Sequence, residues 1–201
     1  MLRRGKDRAA VLVNFDVDRS AVEAARRDPR AFEALYRKYV AQVYNFALYE
    51  LRDTHAAEDL TAQVFLRALD GLRGFREQSE PPGSSFRVWL FQIARNSVAN
   101  ERRRVRRHPE APLDLALEAP SPEDVQQAAL DRDQLERAWQ QIGKLPAERR
   151  QALVLRFVEE MSTREIGEVL GRSEGATRVL IHRALQAVAR QLGHGADATR
   201  H

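Results

Sequence analysis

No cysteine occurs among the 201 residues, which excludes a disulfide framework and any thiolate metal site and leaves the chain with no need of an oxidising compartment. Long apolar runs are missing as well. Nowhere do about 18 apolar residues follow one another, so no segment has the length to span a bilayer. The basic start, Met1 to Lys6, meets Asp7, Asp16 and Asp18 before any apolar stretch reaches signal-peptide length. These absences predict a cytoplasmic chain without membrane insertion. Histidine is scarce: the five residues His55, His108, His182, His194 and His201 are scattered, without metal-ligand spacing. No glycine-rich phosphate loop occurs either, and Glu58-Asp59 reads as a first-turn helix charge pair rather than a catalytic dyad. The chain is therefore expected to have no catalytic residues, to bind no metal and to need no cofactor. Strand-like alternation and a fixed-period repeat are also lacking, which predicts an all-α fold.

What is present is a series of amphipathic helices. With 43% hydrophobic residues the chain can form one sizeable domain or two small ones. Asp28-Pro29 combines an N-cap with proline at a first helical position, and Phe32, Leu35, Tyr39, Val43 and Phe46 follow at helical spacing. Thr54 is the expected cap of the next helix, whose stripe is Leu60, Val64, Phe65, Ala68 and Leu69 and which stops near Gly71 to Gly74. Pro81-Pro82-Gly83-Ser84 marks an exposed loop between Arg76 and Ser85. Ser85 is the expected cap of a third helix, with Phe86, Leu90, Ile93 and Ala94 on one face. It runs into five arginines, Arg102, Arg103, Arg104, Arg106 and Arg107, before Pro109.

The composition then changes. From Pro109 to Pro122 there are four prolines and three acids but no Lys or Arg, the mark of an interdomain linker. The expected organisation is a tail over 1–28, a helical domain over 29–108, a flexible linker over 109–121, and a second helical domain over 122–201 whose last residues form a disordered tail. The second domain opens on Ser121-Pro122-Glu123-Asp124, a capped helix start, and another helix starts at Pro146 and carries Leu153 and Phe157. Ser162-Thr163-Arg164-Glu165 fits a capping box, Gly171 suits a left-handed helix end, and Ser173 caps a longer helix three residues after Leu170. This is the helix-turn-helix pattern, although capping and spacing alone fit an ordinary helical hairpin equally well. On the longer helix Thr177, Ile181, Ala184, Leu185, Val188 and Leu192 share a face, which leaves Arg178, Val179, His182 and Arg183 outside or flanking it.

Two blocks carry a resemblance. Ala56-Ala57-Glu58-Asp59-Leu60-Thr61-Ala62-Gln63-Val64-Phe65-Leu66-Arg67-Ala68-Leu69, with Ser85-Phe86-Arg87-Val88-Trp89-Leu90-Phe91-Gln92-Ile93-Ala94-Arg95-Asn96, resembles the second conserved region of extracytoplasmic-function (ECF) sigma factors. Leu145-Pro146 through Leu192 is similar to their fourth region. The resemblance implies a subunit of bacterial RNA polymerase that binds the core enzyme and directs it to promoters. Its implied partners are promoter DNA, the beta-prime clamp helices and beta flap of core polymerase, and an anti-sigma factor. By resemblance, Asp59, Gln63, Arg67 and Asp70 face the clamp helices. Phe75 and Phe86 are expected to stack on separated minus-ten bases, whereas Trp89 is assigned mainly to packing. Asn96, Asn100, Arg103 and Arg104 face minus-ten DNA, where arginine neutralises phosphate and asparagine reads an adenine edge. Arg178, Val179, His182 and Arg183 face the minus-thirty-five element, with Val179 against a thymine methyl.

Two other classes of protein fit parts of the chain. A helix-turn-helix regulator that never binds core polymerase accounts for the C-terminal half but leaves Glu58 to Asn96 without a role. A helical adaptor that binds only proteins is the other, and failure to bind any DNA even with polymerase present would favour it.

Overall fold

The structure, a computed structural model, describes residues 18–77, 84–107 and 137–198. The linker over 109–121 and the capped start at Ser121-Pro122 lie outside them. Among the described residues no strand forms. The N-terminal unit comprises α1 (Arg19–Arg27), a 3-10 turn (Pro29–Ala31), α2 (Phe32–Leu51), α3 (Thr54–Gly71) and α4 (Ser85–Arg107). The C-terminal unit comprises a helical stretch α5 over 137–144, then α6 (Ala147–Phe157), α7 (Thr163–Leu170) and α8 (Glu174–Ala198).

The helix starts follow local chemistry, in two places one residue earlier than expected. Asp53, not Thr54, caps α3 by accepting from the Ala56 amide at 2.8 Å. Ser84, not Ser85, caps α4: its hydroxyl accepts from the Arg87 amide at 2.9 Å and also donates to Asp18. In both places a short oxygen side chain just before the first helical residue reaches the third amide along, and its neighbour is already helical.

The end of the supposed N-terminal tail, residues 18–27, is part of the fold. Arg26 donates to the carbonyls of Leu72, at 3.2 Å, and Phe75, closing the end of α3, while Val22 and Ala25 are buried. Buried Asp18 gathers Lys38 Nζ (2.5 Å), the Tyr39 hydroxyl and the Ser84 hydroxyl. Burial and the Asp18 carboxylate push the Tyr39 phenol above its ordinary value. At the other end α8 continues to Ala198, so the stretch after Leu192 is helical for most of its length rather than a tail.

In the C-terminal unit the capping box is formed. The Ser162 hydroxyl accepts from the Glu165 amide at 3.2 Å, and the Glu165 carboxylate accepts from the Ser162 amide at 2.9 Å. Gly171 ends α7 with φ of 69°, a conformation that glycine adopts without a Cβ penalty. Gly167 is a close approach that periodicity does not reveal, because a Cβ there would lie 2.8 Å from the Arg172 carbonyl oxygen. This lets α7 pack tightly under the turn into α8.

The two units are not separate cores. Ala152, Val154, Leu155, Met161, Ile166, Val169 and Leu170 of the C-terminal unit belong to the same buried apolar cluster as the N-terminal helices. A smaller cluster of Leu145, Leu153, Ala184, Ala187 and Val188 holds α8 onto α6. Leu185, expected on the buried face of α8, is 43% exposed instead. The buried stripe passes through Ala184, Ala187 and Val188.

Candidate nucleic-acid interface

The α3–α4 pair forms a groove of about 700 Å³. One wall carries Asp59, Gln63 and Arg67, and the other carries Asn100 and Arg104. The structure thus brings three of the polymerase-facing candidates beside two of the DNA-facing ones. Asp70 is exposed at the end of α3, and Asn96 and Arg103 are exposed along α4. Arg67 reaches across the groove and donates to the Ser97 hydroxyl at 2.7 Å. Arg103 donates to Asn100 at 2.8 Å, and Arg104 forks onto Glu101 at 2.6 and 2.9 Å. That fork and the Glu101 charge raise the Arg104 pKa. Ser97 is buried, whereas the Arg103 and Arg104 guanidinium groups are exposed and solvent-screened, so their local partners exchange readily for phosphate oxygens.

A second groove of about 760 Å³ lies between the end of α3 and the start of α4, lined by Phe75, Arg76, Trp89, Gln92 and, from the C-terminal unit, Glu168. Burial here corrects the expectation for the aromatic rings. Phe86 is 0% and Phe75 5% exposed. Phe86 packs against Phe32, Tyr39, Phe75 and Trp89 with ring centroids 5.8 to 6.4 Å apart. Phe86, enclosed on all sides, has no face for a base and is a core residue in this arrangement, whereas Phe75 is nearly buried and shows only an edge to the groove. Trp89, assigned to packing, is the half-buried ring that lines the groove. The aromatic positions were legible in the sequence; which of them faces outward depends on neighbours from α1 and α2.

The helix-turn-helix presents Arg178, Val179, His182 and Arg183 on the exposed side of α8, with Val179 49% exposed. Arg178 pairs with Glu174 at 3.1 Å. Arg172, in the turn, forks onto Glu148 of α6 at 2.5 and 2.6 Å. This fork holds the Glu148 carboxyl below its ordinary range and pins the turn. Among the described residues no cluster of three or more metal-ligating side chains occurs, and no helix is long and apolar enough to cross a membrane.

Sequence reasoning missed the charges between the units. Glu50 of α2 is buried with its carboxylate held by Arg150 of α6, Nε to Oε1 at 2.9 Å and Nη2 to Oε2 at 3.2 Å, and by Arg102 of α4 at 2.9 Å. Burial pulls the Arg102 pKa below its ordinary value. Glu159, after α6, is 3% exposed, its Oε1 has no hydrogen-bond partner, and Arg87 donates to its backbone carbonyl rather than to its carboxylate. Burial pushes the Glu159 carboxyl from 4.5 up to about 8, against the opposing pull of Arg87.

This sets a pH dependence. Between about pH 4.5 and 8 the folded chain keeps a Glu159 proton that the unfolded chain has lost, so stability falls as pH rises through that window and levels off above it. Denaturant titrations at pH 6 and pH 8 are expected to show wild type losing stability at the higher pH, at a limiting slope of about 1.4 kcal/mol per pH unit. Glu159→Gln is expected to flatten the difference, and an unchanged slope in that variant removes Glu159 as its source.

The assembled features are two helical units, an arginine-rich helix end and a helix-turn-helix, and comparison with known proteins gives them a class. Residues 35–108 match the Sigma-70 region 2 family and residues 135–188 the Sigma-70, region 4 family. The ECF RNA polymerase sigma factor SigL of Mycobacterium tuberculosis is 31% identical over 168 residues, 82% of this chain and 90% of SigL. The ECF RNA polymerase sigma factor BldN of Streptomyces coelicolor is 35% identical over 166 residues, covering 81% of this chain but only 60% of BldN. Among solved structures, CnrH in complex with the cytosolic domain of CnrY is 25% identical with a TM-score of 0.65, over 88% of this chain and 97% of CnrH. The chain belongs to the ECF RNA polymerase sigma factors, a family of transcription-initiation factors.

Proposed function

We propose that this chain binds core RNA polymerase through the exposed face of α3, with Asp59, Gln63, Arg67 and Asp70 against the beta-prime clamp helices and the C-terminal unit against the beta flap. It carries out no chemistry of its own and acts in the cytoplasm. Asn96, Asn100, Arg103 and Arg104 contact minus-ten DNA, and Arg178, Val179, His182 and Arg183 contact the minus-thirty-five element. The observation that carries this reading is that every one of these side chains is exposed while the apolar stripes of the same helices are buried. The chain also takes an anti-sigma factor, a reading supported by its likeness to CnrH, which was solved with a partner chain bound.

Run-off transcription with core polymerase on genomic fragments tests polymerase binding, promoter choice and strand opening together. No transcript and no core association at low salt defeat the proposal. Within it, Arg183→Ala is expected to weaken minus-thirty-five binding about five- to hundredfold, the range for losing one arginine contact to a base edge. An unchanged footprint removes Arg183 from the interface.

A further inference from the structure

The proposed reading side chains of α8 lie between Arg178 and Arg183, within about three turns of its start at Glu174. The buried cluster that fixes α8 to α6 lies further along, where Ala184, Ala187 and Val188 pack with Leu145 and Leu153. Nearer the start the hold is lighter. Thr177 is buried, but its hydroxyl donates to the Ser173 carbonyl one turn back, at 2.9 Å, and Leu180 and Ile181 are half-buried. A second tie is made before the helix begins. Arg172 reaches from the turn to Glu148, in the first turn of α6, and forks onto it with Nε to Oε1 at 2.5 Å and Nη2 to Oε2 at 2.6 Å. The Arg172 amide donates to the Gly167 carbonyl at 2.8 Å, so backbone and side chain fix the same residue.

Both partners of the fork are partly exposed, 40% for Arg172 and 36% for Glu148, so the pair adds little to global stability. Its effect is on direction. Two parallel bonds between planar groups fix orientation as well as distance. Arg178 lies six residues before Ala184, about 9 Å along the axis, so a tilt of about 6° about that point moves it by about 1 Å. That displacement is twice the roughly 0.5 Å within which a binding constellation must be held. We infer that Glu148 and Arg172 are positioning residues for minus-thirty-five recognition, an assignment that rests on the proposed reading of α8. Their fork sets the angle at which α8 presents Arg178 and Arg183 to the duplex, and neither residue needs a DNA contact of its own.

The test uses holoenzyme, assembled from core polymerase and the full chain, on a promoter chosen by run-off transcription and on the same DNA with its minus-thirty-five element scrambled. The ratio of the two affinities measures discrimination. Glu148→Gln and Arg172→Gln are each expected to lower that ratio about five- to tenfold, the low end of the range for losing one arginine contact to a base, while affinity for the scrambled DNA is unchanged. Exchanging the pair, Glu148→Arg with Arg172→Glu, is expected to recover most of the discrimination, because the fork can form in reverse. Retained helical circular dichroism and unchanged affinity for core polymerase establish that each variant is folded. Folded single variants with the wild-type ratio, or an exchanged pair no better than the worse single variant, overturn the inference. So does Arg172→Gln if it weakens binding to both DNAs equally and lowers the salt slope by about 0.9, the mark of a lost phosphate contact. Wild-type holoenzyme that does not discriminate overturns the reading of α8 itself, and the positioning role with it, whereas failure of the pair alone shows only in the variants.

Discussion

Replacing Phe86 with alanine is expected to destabilise the N-terminal unit by about 3 to 5 kcal/mol, the usual range for emptying a fully enclosed aromatic site. The ring has no exposed surface and touches the rings of Phe32, Tyr39, Phe75 and Trp89, so neither solvent nor collapse of one neighbour fills the void. Urea denaturation monitored by circular dichroism measures the loss. A variant that keeps its stability within about 1 kcal/mol and loses promoter opening instead would return Phe86 to the role of a base-stacking residue.

Glu50→Ala is the second large effect. Burying two guanidinium groups with no counter-charge costs about 3 to 5 kcal/mol, and Arg150 is enclosed while Arg102 is mostly so. Arg150 can escape that cost only if the C-terminal unit leaves α2. The expected outcome is therefore a shift of the closed arrangement toward an open one of more than a hundredfold, seen as an increased radius of gyration in small-angle X-ray scattering. Replacing the pair together, Glu50→Leu with Arg150→Met, is expected to restore much of the closed form, because an apolar pair of similar volume carries no desolvation cost. An unchanged scattering profile in Glu50→Ala would show that the carboxylate does not hold the units together.

The connection between the charge arrangement and the fold also explains an asymmetry in exposure. The arginines assigned to DNA, Arg103, Arg104, Arg178 and Arg183, lie on helix faces turned to solvent and pair only within their own helix where they pair at all. Arg87, Arg95 and Arg150 reach across the unit boundary to carbonyls or to Glu50, and Arg102 reaches Glu50 within the N-terminal unit. Alternate arginines of one basic run thus serve different ends: Arg102 ties α4 to α2, whereas Arg103 and Arg104 one and two residues later remain available to an anion.

What the sequence alone determined is what depends on residues a few positions apart. Apolar spacing of three and four, the Ser162–Glu165 capping box, Gly171 at a left-handed position and the arginines at the end of α4 specify the helices, the helix-turn-helix and the exposed basic faces, because each acts through backbone within one or two turns. Tertiary structure alone decided which aromatic rings are enclosed, that residues 18–27 close the end of α3, and that Glu50 meets an arginine a hundred positions away. The physical reason is that burial and ion pairing are set by what packs against a helix face. Neither the period of the apolar stripe nor the identity of a charge says which distant surface will cover it.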